Sequence, residues 1–451
     1  MHDTNNVSSH AAAHALTGNP DALLSRELGT RQLAATIFNY TVGSGIFALP
    51  AFAVLQLGSA APLAYLACAI IIGLVVMCFA EAGSRVSATG GPYAYVETAL
   101  GPMWGFVAGC LVLATGGSAA AGVADLVARS ILSLVPDASV WMNRALILLL
   151  IGTLMAINYR GVKTGARVIE TVTVAKLLPL LAFVVVGIFF IEPSNLVWTD
   201  IPPASTVLAT AGVVMFAFSG IEGSLIPSGE VKNPSKTVPR AAFLALGAAT
   251  LLYLAIQFVA LGIMGTALAN DSTTPLASAA GTVVGPLGRA ILVVGAVISM
   301  FGYLSANVLS EPRGVFAMSR DGFLPRVLSS VHPAFHTPHI AIVVYGTVIA
   351  GIALSGTFET LATFANLSAV LLYFLCAIAA FKLRREDVRT DGEPFLAPGG
   401  PLVPIATCLA LAWLFYETVK LPNFVALVIV LTVVFALYFL RAWRLKARRA
   451  A

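Results

Sequence analysis

Apolar runs of about twenty residues, each long enough to cross a hydrocarbon core of about 30 Å, follow one another from Leu33 to Leu440. Of 451 residues, 58% are hydrophobic and only 10% charged, which excludes an ordinary soluble globular domain. A backbone in lipid must satisfy its own hydrogen bonds, so runs of this length fold as helices. The runs predict an all-α integral membrane protein with twelve transmembrane helices. They fall near 33–57, 60–81, 103–133, 142–159, 166–191, 206–229, 239–265, 281–318, 338–356, 359–381, 401–419 and 422–441.

The basic residues orient these spans. With both termini in the cytoplasm, 21 of the 26 Lys and Arg fall on the inner side. Arg129, Arg144, Arg289 and Lys420 fall on or beside the outer side, and Lys176 lies inside a span. The loop Glu192–Pro203 carries Glu192 and Asp200 and no Lys or Arg, in keeping with an outer position. The first 25 residues are polar and lack the features of a signal peptide, so they read as a disordered cytoplasmic tail, with the first span as anchor. Cys68, Cys78, Cys110, Cys376 and Cys408 all lie in apolar runs and read as packing residues. The six His lie in the tail (His2, His10, His14) or in one loop and its junction with the ninth span (His332, His336, His339), where solvated side chains are the expected state. The net charge of +5 is spread over many loops and points to topology and anionic lipid, not to nucleic acid.

Two spans contradict their own helical pattern. The first breaks at Val42-Gly43-Ser44-Gly45-Ile46-Phe47, with Pro50 close behind. The sixth breaks at Phe218-Ser219-Gly220-Ile221-Glu222-Gly223. Glycine and serine are poor helix interior, and broken backbone is tolerated in lipid only where it lines an enclosed cavity. Small residues also let helices pack closely, which is the competing explanation for either site alone. A matched pair of breaks points to a transporter site at the membrane midplane. Two sets of five spans, each opening on a broken helix, predict inverted repeats over 31–191 and 204–382. They are preceded by a tail at 1–30 and followed by two spans over 400–442 and a basic tail at 443–451. Unwound helix ends suit a zwitterion: free amides and a positive helix start for a carboxylate, free carbonyls for an ammonium.

Few side chains in the spans can carry chemistry. Lys176 lies about ten residues into the fifth span, where a buried ammonium needs partners or a wet cavity. It reads as a fixed cation holding broken-helix carbonyls and hydroxyls, or as a proton-exchanging group; snorkelling to the interface is the competing reading. Glu222, in the second break, reads either as a proton or ammonium acceptor or as a carboxylate capping unwound amides. Asp125 and Arg129 are spaced for an intrahelical ion pair. Glu311 and Arg313 are expected in a cytoplasmic charge network. Phe216 and Phe218 precede the second break, where either can cover a bound substrate. Ser299, Ser305 and Asn307 are candidate partners for Lys176 if the eighth span packs on the fifth.

Four motifs then carry a resemblance: Gly43-Ser44-Gly45-Ile46-Phe47 with Pro50; Ser87-Ala-Thr-Gly90-Gly91-Pro-Tyr93; Glu230-Val-Lys-Asn233-Pro234-Ser-Lys-Thr-Val-Pro239-Arg240; and Pro312-Arg313 with Ala317-Met318-Ser-Arg320-Asp321-Gly322. Together they resemble the amino acid–polyamine–organocation superfamily, over spans one to ten. The resemblance implies a five-plus-five inverted-repeat fold of the leucine-transporter type, with discontinuous helices 1 and 6. It implies alternating access around a site between spans one, three, six, eight and ten. It places Ser44, Gly45 and Ile46 at a substrate carboxylate, and Phe216, Ser219, Gly220 and Ile221 at the amino group and cover. It matches Lys176 to the lysine that replaces sodium in cation-independent exchangers. It sets Glu222 where arginine–agmatine antiporters also carry glutamate, although Phe216 stands where those proteins carry a tryptophan gate. Tyr303, Ser305 and Asn307 fall where relatives place polar groups on the substrate side.

The expected function is sodium-independent secondary transport of amino acids in the bacterial inner membrane, by exchange or proton symport. The alternatives within the fold are transport of polyamines or other organic amines, and sodium-coupled symport. An enzyme would need convergent nucleophile, base or metal ligands within the spans, whose interiors contain no His and no Cys or Asp cluster. A channel fits the isolated lysine and paired breaks poorly. No catalytic residue, metal or cofactor is expected; the partners are the small-molecule substrate, a coupling proton and the lipid bilayer.

Overall fold

The structure, a computed structural model, describes residues 28–132, 139–160, 162–198, 200–271, 274–335, 337–356, 358–390, 392–419 and 421–450. The N-terminal tail with His2, His10 and His14, and also His336 and Lys420, lie outside the described residues.

The described chain is helical, apart from a single parallel bridge between Leu28 and Val231. Its helices are α1 (Thr30–Thr41), α2 (Gly45–Leu57), α3 (Pro62–Arg85), α4 (Pro92–Leu100), α5 (Pro102–Leu132), α6 (Val140–Tyr159), α7 (Val162–Gly187) and α8 (Ala204–Phe218). They continue as α9 (Ile221–Ser224), α10 (Pro234–Met264), α11 (Pro275–Val284), α12 (Pro286–Arg320), α13 (His339–Ser355), α14 (Phe358–Arg385), α15 (Leu402–Thr418) and α16 (Leu421–Ala450). Six helices begin on a proline, which supplies a helical φ and lacks only an amide that the first turn leaves unpaired anyway.

Nine described helices are long and apolar enough to cross a membrane, and the bent pair α1–α2 makes a tenth. The 17-residue α13 and α15 fall below that length. At 1.5 Å per residue each reaches about 26 Å, against a core of about 30 Å. Three boundaries differ from the sequence reading. The eighth span opens at Pro286, not 281, because Gly285 at φ 71° separates it from α11. The sixth span does not run helically to 229. After α9 the chain turns through Pro227 and a 3-10 turn at Ser228–Glu230, since proline withholds an amide and glycine favours the coil. The basic C-terminal tail is not a separate segment: α16 continues through it to Ala450.

Loops gather at two ends of the bundle. One end holds most of the cations. There Arg85 and Arg384 converge on Glu81, with Nη–O distances of 3.3 and 3.2 Å, while the Ala397 amide also donates to Glu81. Arg313 pairs with Glu230 at 3.0 Å, beside the Leu28–Val231 bridge. At the opposite end the Glu192 amide and the Asn195 side chain both donate to Gly262 O. Asp125 binds Arg129 at 2.8 Å and accepts from Asn143 there. Between the ends, α14 packs along α5, α12 along α7, and α10 along both α1 and α3, so the broken helices are enclosed by unbroken ones.

Candidate substrate site

α1 and α2 meet at a 50° bend over Val42–Ser44, and α8 and α9 part at Ser219–Gly220. The breaks lie side by side. A Cβ on Gly45 would stand 2.7 Å from the Ala217 Cα, so only glycine admits this approach of α2 to α8. Gly220 has φ 122°, a conformation L side chains rarely adopt, and a Cβ there would stand 3.0 Å from the Tyr40 carbonyl carbon.

Breaking a helix exposes carbonyls, and here side chains from unbroken helices meet them. The Lys176 ammonium, fully buried on α7, donates to Asn39 O at 2.8 Å and Val42 O at 2.6 Å. The Ser299 hydroxyl on α12 lies 3.0 Å from Val42 O and 3.2 Å from Gly43 O. The Tyr253 hydroxyl on α10 lies 2.9 Å from Thr41 O and 2.8 Å from Ala217 O, one acceptor in each broken helix. Asn39 Nδ2 donates to Gly302 O at 3.2 Å and ties α1 to α12. A cation at the end of α1 is also the charge the helix dipole favours there. In the second break, Glu222 Oε2 accepts from the Gly220 amide at 3.0 Å and the Tyr373 hydroxyl at 2.7 Å. That carboxylate stands at the start of α9, again the sign that the dipole favours.

A cavity with about 410 Å³ of atom-free space, counting its open mouth, lies between the breaks. Its walls are Tyr40, Thr41, Gly43, Ser44 and Gly45 from the first span and Phe216, Ser219, Gly220 and Glu222 from the sixth. Thr115, Ala119 and Val123 of α5, Tyr303 of α12 and Ala365 of α14 complete it. The Ser44 hydroxyl is buried without a hydrogen-bond partner, at the start of α2, whose first amides have no intrahelical acceptor.

Of the residues singled out from sequence, Gly43, Ser44, Gly45, Phe216, Ser219, Gly220, Glu222 and Tyr303 are on the wall. Val42 and Ile46 are buried off it, and Val42 contributes the carbonyl that Lys176 and Ser299 hold. Phe218 is off the wall, its ring edge-on to Tyr253 at 5.0 Å. Ile221 is buried behind the break. Asn307 bridges helices, donating to Gly116 O at 3.1 Å and accepting from Tyr345 at 2.8 Å. Ser305 is buried with an unpartnered hydroxyl. Arg313 joins an ion pair at the basic end, as expected, but Glu311 does not: it is fully buried and neither carboxylate oxygen has a hydrogen-bond partner. Sequence reasoning missed Tyr40, Thr41, Thr115, Ala119, Val123 and Ala365. The first two immediately precede the break. The small-residue stripe from Thr115 to Gly122 was the available signal for α5.

This arrangement of broken helices about an enclosed cavity is that of a helical membrane carrier. The Amino acid permease family profile matches residues 28–442, and the chain belongs to that family, within the amino acid–polyamine–organocation superfamily. The chain is similar to a methylthioribose transporter of Bacillus subtilis, with 30% identity over 92% of this chain and 94% of the relative. It is similar to the serine/threonine exchanger SteT of the same organism, with 30% identity over 87% of this chain and 90% of the relative. It is also similar to the branched-chain amino acid permease BcaP of that organism, with 25% identity over 86% and 88%.

Proposed function

We propose that the protein is a sodium-independent secondary transporter of amino acids, working by alternating access as an exchanger or proton-coupled symporter. One observation carries the choice of substrate class. The two breaks create four half-helix ends, and two are neutralised internally: the negative end of α1 by Lys176, the positive end of α9 by Glu222. The positive start of α2 and the negative end of α8 have no charged partner among the described residues, α8 meeting only the hydroxyls of Tyr253 at Ala217 O and Ser219 at Met215 O, and both ends adjoin the cavity at Ser44–Gly45 and Phe216–Ser219. A zwitterion matches that pair: its carboxylate meets the α2 amides and the Ser44 hydroxyl, its ammonium the α8 carbonyls. Phe216 then covers the ligand, and Ile46, Ile221, Tyr303, Ser305 and Asn307 shape its surroundings. The relatives named as a serine/threonine exchanger and a branched-chain permease support amino acids.

Lys176 carries the sodium argument. Its ammonium occupies the carbonyls a sodium ion would use, and two cations cannot share them. The reading extends to twelve crossings with both termini cytoplasmic, inverted repeats over 31–191 and 204–382, and the basic end facing the cytoplasm of a bacterial inner membrane.

The test is uptake by purified protein in liposomes loaded with unlabelled amino acids, in sodium-free buffer. Labelled serine, leucine, alanine, glutamate, arginine, putrescine and methylthioribose form the panel. Saturable entry of α-amino acids, lost when the α-carboxylate is esterified or the α-amine replaced by hydroxyl, is the expected result. Entry of methylthioribose or putrescine alone would sink the zwitterion reading, and entry only with sodium would sink the role of Lys176.

A further inference from the structure

Glu311 has no place in the scheme so far. It stands on α12 eight residues past Tyr303, about 12 Å further toward the basic end. Its side chain is fully buried, and both oxygens lack a hydrogen-bond partner. Two glycines make room for it. A Cβ on Gly116 of α5 would collide with the carboxylate, and a Cβ on Gly223, just past the second break, would stand 2.9 Å from Oε1. The same Gly223 position lies 2.8 Å from the Tyr40 hydroxyl, which is likewise buried and unpartnered. Tyr40 also lines the cavity, so one residue borders both the substrate space and the surroundings of Glu311.

The ionisable groups that face Glu311 are Tyr40 of α1, Glu222 of α9, Tyr303 of α12 and Tyr345 of α13. None is a cation, and the guanidinium two residues away is held by Glu230 and Leu309 O. An ionised carboxylate enclosed without donors carries a large desolvation penalty, whereas a carboxylic acid with the same packing carries no net charge. Between this carboxyl and the basic end lie the Arg313–Glu230 ion pair and the Leu28–Val231 bridge. Alternating access requires those contacts to part, and water then reaches the carboxyl.

We propose that Glu311 is a proton-binding site on the path between the substrate cavity and the basic end, loaded while that path is closed and emptied when it opens. Loading converts the carboxylate to a carboxylic acid with a proton that comes from water in the substrate cavity past Tyr40, and opening returns that proton to water on the basic side. The site makes the closed bundle electrically tolerable and ties its opening to one proton. This rests on the carrier reading above and assigns the coupling group within it.

Infrared difference spectra of the full chain in lipid nanodiscs, recorded across pH, test the site without any substrate. At pH well above the value of about 7 to which Glu97 is raised, the wild type is expected to show the carbonyl stretch of a buried carboxylic acid, absent from Glu311→Gln, kept by Glu222→Gln and shifted in Glu311→Asp. A wild type with no such band, or a band that survives Glu311→Gln, overturns the proposal. If Glu311→Gln fails to fold, the shift in Glu311→Asp decides. Liposomes with labelled L-serine and L-leucine test coupling. One proton per substrate predicts about tenfold accumulation for each unit of inward acid gradient, abolished by Glu311→Gln. Wild-type accumulation that ignores the gradient overturns the coupling role. If no amino acid enters at all, the amino acid reading fails while the infrared result still stands.

Discussion

Replacing Lys176 by methionine keeps the unbranched stem, one atom shorter, and removes its charge and donors. Two carbonyls lose the ammonium, but not equally. Val42 O keeps the Ser299 hydroxyl at 3.0 Å, whereas Asn39 O has no second side-chain donor among the described contacts. A hydrogen bond from a charged donor contributes about 1.5–3 kcal/mol, so the loss at Asn39 amounts to about 2 kcal/mol, or roughly thirtyfold. The relieved cost of burying an ammonium offsets part of it and sets thirtyfold as the upper end. Ser299→Ala is milder, because Val42 O keeps Lys176; one neutral bond, about 1 kcal/mol, predicts roughly fivefold. Initial uptake rates in liposomes, normalised to reconstituted protein, measure both. The reasoning fails if Lys176→Met transports within twofold of wild type, or if Ser299→Ala is the more damaging change.

Gly220→Ala forces a side chain to φ 122° against the Tyr40 backbone, at a cost of about 1–3 kcal/mol; a lower melting temperature and impaired uptake are expected, and an unchanged protein would remove the argument for that break. Glu97, on α4 outside the spans, has its carboxyl pushed up to about 7, first by burial and then by Asp321, with Tyr93, Arg320 and Arg441 pulling it down. A carboxyl raised in the folded state favours folding fully below its unfolded value of about 4.5, and that contribution disappears as pH rises through about 7. Melting temperature should therefore fall between about pH 5 and 8, and Glu97→Gln should flatten the profile. Arg313→Gln breaks the 3.0 Å pair with Glu230. A cysteine placed at Ser305 in a cysteine-free background should then react faster with a maleimide added from the basic side; an unchanged rate would mean that the pair does not restrain opening.

Much of this was legible because lipid penalises exceptions. A glycine-serine break or a lysine in an apolar run is costly enough that sequence alone marks it, and residues 43–45, 176 and 219–222 were found that way. Glu222 was left between two readings, and its bonds to Gly220 and Tyr373 make one oxygen a cap while the carboxylate still lines the cavity. Less legible was direction around a helix. Phe216 and Phe218 are two residues apart and share one chemistry, yet one faces the cavity and the other Tyr253. For Glu311 the expectation of a cytoplasmic charge network rests on its place, with Arg313, near the inner end of the eighth span, and only Arg313 fulfils it. On a helix, residues two apart point to different sides, and what receives Glu311 is the absence of side chains at Gly116 and Gly223, from helices far away in sequence.

The Tyr253 hydroxyl has one hydrogen and two acceptors, Thr41 O and Ala217 O, each within 2.9 Å. It satisfies only one at any instant and is indifferent to which. If the first and sixth spans move apart, the hydrogen follows whichever carbonyl remains near, and the number of bonds is unchanged. Such a contact resembles a greased bearing more than a rivet: it keeps the two halves aligned without resisting their rotation. Tyr253→Phe should then loosen alignment without freeing a locked state, leaving a carrier that turns over freely but holds its ligand poorly.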